Sequence, residues 1–420
     1  ASPAALPSMS SRAWCPVCRV HTCSRTCVSM AAAAANLSSG LGGAAGLAGS
    51  RDLASVARCL RLTTPGLELE YPSDAEAHLE EIQWALGPWL QHEGHRSHCA
   101  AGFCGPWLEN AWISRFGTLW ERRRAAGRAL AEVFGPFVPL LVPWVDRWVD
   151  NAYRYPRGML AALRGVLRPR VPYITVSQND EGLTGKNELL MSEFPNILVL
   201  SAGGYGHVPV PLLKQTEAVL PEHPPHLRTF LVSYVGSLDH APSNLRRAMA
   251  EALEAAARGV GLEDRLFVGR TPRWREVMSD SSFSLCPRGY GRTSYHLVEA
   301  WQLGLVPVHI YGDIPWVPYA GIFHRIGLQA NISGLPRLLR RLRRVGAAGV
   351  SRLEDTVRNM RETHFTLDGV MDQVASFLRG RGSDLRCQRL PDSPRGDVQQ
   401  AEAAARILLG VGGRLASGKK

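Results

Sequence analysis

Apolar positions along the chain recur with two different periods, and the change of period divides it. From Ser73 to Leu90 they fall at helical spacing, with Ser73 or Asp74 placed to cap the first turn. A Gly/Cys/Trp loop follows, and a second helical stretch is expected from Trp120 to Phe134. The proline-punctuated segment Phe134–Pro143 reads as a turn-rich connector. Val171–Ser177 and Ile197–Leu200 then have the continuous apolar character of short buried strands, each ending in a polar or Gly-rich loop. Pro221–Arg228 carries three prolines and two histidines and reads as a linker. Beyond it the pattern predicts strand Phe230–Val235, helix Asn244–Arg258, strand Arg265–Val268, helix Arg273–Met278, strand Phe283–Cys286, helix Ser294–Leu303 and strand Val306–Tyr311. Helical segments Pro336–Arg344 and Ser351–Arg379 follow, and the tail from Gly380 is expected to be loose. Strands alternating with helices predict a parallel sheet with right-handed crossovers, whose ligands bind beyond the carboxyl ends of the strands. Residues 1–50 are rich in Ala, Ser and Gly without either period, and read as a disordered or leader segment.

At 420 residues, 45% hydrophobic and 20% charged, the chain has the composition of a globular protein with two cores, and 11 tryptophans supply large side chains to bury. The net charge of +11 favours anionic partners. Arg337, Arg340, Arg341, Arg343 and Arg344 read as the solvated face of a surface helix, spread around most of it. No zinc-finger, RNA-recognition or helix-turn-helix signature accompanies them, so no nucleic-acid partner is expected. No run of about 18 strongly apolar residues is present. The chain begins at Ala1, as a processed or trimmed product would, and membrane association is expected only through an anchor absent from this chain. Cys15, Cys18, Cys23 and Cys27 begin like a zinc knuckle but lack its long spacer. Cys99 and Cys104 flank a short loop and suit either a small disulfide or two free thiols. Sequons at Asn36 and Asn331 are compatible with a secretory location.

The segment Ser282–Trp301 holds the most chemistry. A buried strand runs into a loop with Gly289, Gly291, Arg288 and Arg292, then into a helix whose first turn offers Thr293 and Ser294 as caps. Glycines let a backbone approach a ligand, free amides at a helix start attract anions, and arginines add charge-assisted bonds, so this pattern suits a diphosphate. Glu299 lies five residues beyond Ser294, about 7 Å along the helix, a phosphate-to-ribose spacing at which a carboxylate accepts ribose hydroxyls. His296 shares its face. An exposed cleft carboxylate of this kind is expected to contribute little to the fold. The Gly185–Lys186 pair is no phosphate loop of the Walker type, because the required upstream glycine is missing and Asn187 replaces the hydroxyl residue.

The run Ser282–Ala300, continuing through Gly304, Val306-Pro307-Val308 and Asp313, resembles the C-terminal signature of the exostosin-like glycosyltransferases, family 47. Phe230–Ser237, Thr175-Val176-Ser177-Gln178 and Pro209-Val210-Pro211-Leu212 resemble it as well. Gly105–Asn110 and Phe134-Gly135-Pro136 are similar to algal or protist members. The resemblance covers roughly residues 100–320. It implies an α/β fold of the GT-B type, two Rossmann-like domains facing a cleft, and metal-independent transfer with inversion at the anomeric carbon. The expected division is an acceptor-side domain at 51–222, a nucleotide-sugar domain at 223–380 and a tail at 381–420. It further implies a nucleoside-diphosphate sugar as donor, a UDP-sugar, with no cofactor or metal required, a glycan or glycoprotein as acceptor, and the Golgi lumen as location, in polysaccharide biosynthesis or protein glycosylation. Donor binding would fall to Gly236, Ser237, Arg288, Gly289, Arg292, Thr293, Ser294, His296 and Glu299. His296 departs from the family, which has Arg at that position. Asp180 is the nominated catalytic base, with Glu181, His207 and Asp313 as rivals. The competing reading is a catalytically silent protein that binds a nucleotide-sugar or an acidic glycan.

Overall fold

A computed structural model of the chain describes residues 52–60, 66–90, 99–100, 103–104, 107–180, 182–183, 193–214, 216–220 and 223–388. The cysteines at 15–27, the sequon at Asn36, Glu181 and the Gly185–Asn187 segment lie outside the described residues.

The first half opens with α1 (Leu53–Leu60) and α2 (Ala75–Leu90). The short strands β1 (Cys99–Ala100) and β2 (Phe103–Cys104) pair antiparallel, with the backbones of Cys99 and Cys104 opposite each other. The next helix, α3 (Leu108–Ala125), starts well before the expected Trp120. Leu108, Trp112, Phe116 and Trp120 stand every fourth residue and form its buried stripe. Chain reversal at Gly127, with φ +67°, ends this region, and the rest of the expected helix is only α4 (Ala131–Phe134). There follow β3 (Val138–Pro139), α5 (Trp144–Asp150), α6 (Arg157–Val166), β4 (Tyr173–Ser177), β5 (Ile197–Ser201) and β6 (Val208–Pro209). The four strands β3 to β6 make a parallel sheet in sequence order. Every residue of β4 and β5 is buried, as the continuous apolar runs require of strands covered on both faces.

The second half contains β7 (Phe230–Val235), α7 (Leu245–Arg258), β8 (Leu266–Gly269), α8 (Trp274–Ser279), β9 (Ser281–Pro287), α9 (Tyr295–Gln302), β10 (Pro307–Tyr311), α10 (Phe323–Ile326) and β11 (Leu328–Asn331). Its five strands form a parallel sheet in the order β11-β10-β9-β7-β8. The chain steps from β7 outward to β8 and then back to β9 on the other side of β7, so the loops after β7 and β9 diverge. The protein is thus α/β with two parallel sheets. The helix α9 is anchored by Trp301, which is fully buried, stacks on Phe365 with centroids 4.6 Å apart, and donates to the Ile326 carbonyl at 2.8 Å. Truncating such a side chain costs about 3–5 kcal/mol.

The chain then crosses back. The segments expected as two helices are α11 (Leu335–His364), broken only at Gly346 with φ +67°, and α12 (Leu367–Leu378). Phe365, Val370, Val374 and Phe377 lie in the same buried cluster as Trp112 and Phe134, so the last helix completes the core of the first half. The tail is fastened through residue 388. Cys387 forms a disulfide with Cys59, 328 residues away in sequence, and the Gln388 amide donates to the His207 carbonyl at 2.7 Å. Arg228, leaving the linker, makes a buried two-pronged ion pair with Glu354 at 2.6 and 3.0 Å. Among the described residues no helix is long and apolar enough to cross a membrane.

Candidate functional site

A cavity of about 490 Å³ opens at the carboxyl ends of β7 and β8. Gly236 and Ser237 follow β7, Arg270 and Thr271 follow β8, and His296 and Glu299 reach in from α9. Lys214 enters from the first half. Gly236 is required here because a Cβ would stand 2.7 Å from the Tyr234 hydroxyl, which itself donates to the Ser237 carbonyl at 2.7 Å.

Glu299 faces this cavity with 12% of its side chain exposed. It pairs with the Lys214 ammonium, and its Oε2 lies 3.3 Å from His296 Nδ1. His296 Nε2 in turn lies 3.2 Å from the Ser284 hydroxyl on β9. Burial pushes the Glu299 carboxyl up, but the hydrogen bond and charge of His296, with Lys214, outweigh it and hold the group at about 2. The carboxylate is therefore ionised at neutral pH and fixed in place. It is also an interior ion-pair partner, so the expectation that it adds little to the fold gives way.

The arginines expected to meet a diphosphate are placed differently. Arg292 is fully buried: its Nε donates to Asp313 at 2.7 Å, Nη1 donates to the Gly204 carbonyl at 3.0 Å, and the guanidinium lies 3.9 Å from the Tyr205 ring centroid. Arg288 is 3% exposed, donates to the Gly291 and Tyr290 carbonyls, and lies 3.5 Å from Asp313. Both side chains brace the loop and the junction rather than the cavity. Gly291 allows close approach, but to the other half: a Cβ there would fall on the Gly203 carbonyl and stand 3.0 Å from Asp180 Oδ1. Gly289 closes the loop on itself through its amide, 2.7 Å from the Thr293 carbonyl. Thr293 and Ser294 are buried, and Ser294 holds the N-cap backbone position of α9 without a side-chain cap bond.

Asp180 is exposed on the loop after β4, beside Gly291. His207 is buried, accepts from the Val199 amide at 3.1 Å, and is driven by burial down to about 3, which fits a neutral structural imidazole and not a surface base. Asp313 is committed to the two arginines. The cations that do face the cavity, Lys214 and Arg270, escaped the sequence reading. A faint signal existed for the first: Lys214 is one of four lysines, with Lys186, Lys419 and Lys420, in a chain that otherwise uses arginine. Among the described residues no group of three or more His, Cys, Asp or Glu is placed to hold a metal ion.

Fold and cavity together define a two-sheet α/β protein with a charged crevice at the point where the strand order of the second sheet reverses. No protein-family model and no curated protein matches the chain. Among solved structures it is similar to WaaG, a glycosyltransferase involved in lipopolysaccharide biosynthesis, at 13% identity and a TM-score of 0.29, covering 75% of this chain and 98% of that one. Sucrose-phosphate synthase from Thermosynechococcus elongatus gives 13% identity and a TM-score of 0.32 over 75% of this chain and 95% of that one. Anabaena Alr3699/HepE in complex with UDP gives 14% and 0.32 over 74% and 98%. With TarM, at 8% identity and a TM-score of 0.33, the match covers 54% of this chain and about half, 53%, of that one.

Proposed function

We propose that the protein is an exostosin-like glycosyltransferase that transfers a sugar from a nucleoside-diphosphate sugar, a UDP-sugar, to a glycan or glycoprotein acceptor with inversion. The observation that carries this reading is Glu299: an ionised carboxylate fixed on α9 in a cavity at the carboxyl ends of parallel strands, where ribose hydroxyls are recognised in such folds. Lys214 and Arg270 supply the positive charge for the diphosphate. When donor enters, the ribose takes over Glu299 and the released Lys214 ammonium meets the phosphates. In the transfer, Asp180 takes the acceptor hydroxyl proton, the acceptor oxygen bonds to the anomeric carbon, and the carbon–oxygen bond to the diphosphate breaks. Lys214 and Arg270 then stabilise the departing diphosphate. The disulfide Cys59–Cys387 supports an oxidising location such as the Golgi lumen.

Calorimetric titration with UDP and UDP-sugars tests the binding step, and release of free UDP over an acceptor panel tests transfer. Tight binding without release would leave a silent nucleotide-sugar binding protein. Absence of any nucleotide binding would reject the reading. Asp180→Asn should lower turnover with UDP affinity preserved, and a fully active variant removes Asp180 as base.

A further inference from the structure

We infer that the exposed face of α11 is a docking surface for an acidic polysaccharide, separate from the donor cavity and independent of the donor reading. The helix is amphipathic: Leu335, Leu338, Leu339 and Leu342 are buried. Arg337, Arg340, Arg341 and Arg344 are exposed, and at 3.6 residues per turn they fall within one stripe about 10 Å long, not around the whole helix. None of the four side chains makes a hydrogen bond or ion pair with a described residue. No Asp or Glu occurs between Leu335 and Leu353. The next two acids are occupied, Glu354 by Arg228 and Asp355 by Arg358.

Beyond the stripe, the helix breaks. At the Gly346 break, beginning with Val345, a second cavity of about 490 Å³ is lined by His324, Arg325 and Arg352, with Thr356 offering a hydroxyl. A row of guanidinium groups on the same element as a hollow that carries Arg325 and Arg352 suits a chain of repeated sulfate or carboxylate groups, since each guanidinium binds such a group with two parallel hydrogen bonds. Three observations favour a glycan over other polyanions. Residues 327–364 contain no Phe, Tyr or Trp on which nucleic-acid bases would stack. No exposed large apolar side chain stands there to enter a membrane. The Cys59–Cys387 disulfide fits an oxidising compartment, where acidic glycans and not nucleic acids are the abundant polyanions.

The test uses the full chain and its variant R337E/R340E/R341E/R344E, with R58E/R122E/R154E/R157E as a control of equal charge change on the first half. Affinities for heparin, polygalacturonate, a DNA duplex and phosphatidylserine vesicles are measured near 0.15 M salt. The parent should bind one of the polysaccharides in preference to DNA and vesicles. The α11 variant should bind it at least about tenfold more weakly, and the control within about threefold of the parent, because local charge pairs outweigh net charge at this screening length. Equal losses in both variants would show net charge alone and overturn the proposal. So would an equal or higher affinity for DNA or vesicles, or no binding to either polysaccharide. If the glutamate variant fails to fold, the corresponding four-fold Arg→Gln variant replaces it, with the same outcomes. UDP affinity of the α11 variant should match the parent, which separates this surface from the donor site.

Discussion

Replacing Glu299 by Gln keeps the shape of the side chain and deletes the charge shared with Lys214 and His296. Burial acts to raise this carboxyl, but His296 and Lys214 hold it at about 2 against an ordinary 4.5. A difference of about 2.5 pH units corresponds to roughly 3 kcal/mol in favour of the ionised folded form. A group whose folded value is depressed contributes stability above its unfolded value and loses it as pH falls through the folded one. Glu299 should therefore account for up to about 3 kcal/mol of the stability the parent loses between pH 4.5 and 2, and Glu299→Gln should lose less than the parent by that amount in that window. At neutral pH the variant should be less stable by about 1–2 kcal/mol, less than the full figure because Lys214 keeps Glu217 at 3.8 Å. Hydrogen bonds from ribose hydroxyls to a charged acceptor contribute roughly 1.5–3 kcal/mol, so UDP affinity should fall about 10- to 150-fold. Thermal unfolding from pH 7 to pH 2.5, paired with calorimetric titration of UDP, reads both effects. A variant with the parent's acid slope and the parent's UDP affinity would refute the reasoning at both links.

Gly291→Ala should force the two halves apart, because its Cβ has no room against the Gly203 carbonyl; a clear drop in Tm and in UDP release is expected, and an unchanged Tm would contradict the junction described. Cys387→Ser opens a disulfide that closes 328 residues, with an expected loss of about 3–5 kcal/mol, seen as a lower Tm that reductant no longer changes. His309 is fully buried, and burial lowers it from 6.5 to about 3 against an opposing contact with the Cys286 backbone. Its folded value being depressed, the neutral imidazole costs stability as pH falls from 6.5 to 3, so His309→Leu should be near neutral at pH 7 and should flatten the acid slope by about 1.4 kcal/mol per pH unit near pH 5.

Much of the second half was legible because each of its elements states its own period. Strands β7 and β10 are short apolar-rich runs, β9 alternates around Phe283 and Leu285, α7 and α9 carry helical spacing, and Gly304, with φ +81°, stops the turn after α9. The site was legible in part for the same reason, since Glu299 and His296 share one helical face whatever the helix packs on. The start of α3 was missed although its stripe at Leu108, Trp112, Phe116 and Trp120 is regular, because Trp and Gly near its start read as loop.

Local pattern, then, marked most strands and helices of the second half, and placed a carboxylate and an imidazole together on the helix after β9. Only the tertiary structure decided which charges face the cavity. Arg292 is sealed between the halves by Asp313 and the Gly204 carbonyl and Arg288 is turned onto its own loop and Asp313, while Lys214 arrives at Glu299 from the other half of the chain. The return of α12 to the first core and the tie from Cys59 to Cys387 likewise follow from which apolar faces remain to be covered once both sheets exist. Periodicity records how a segment relates to itself over a few residues. Burial and ion pairing depend on partners far away in sequence, which no local period encodes.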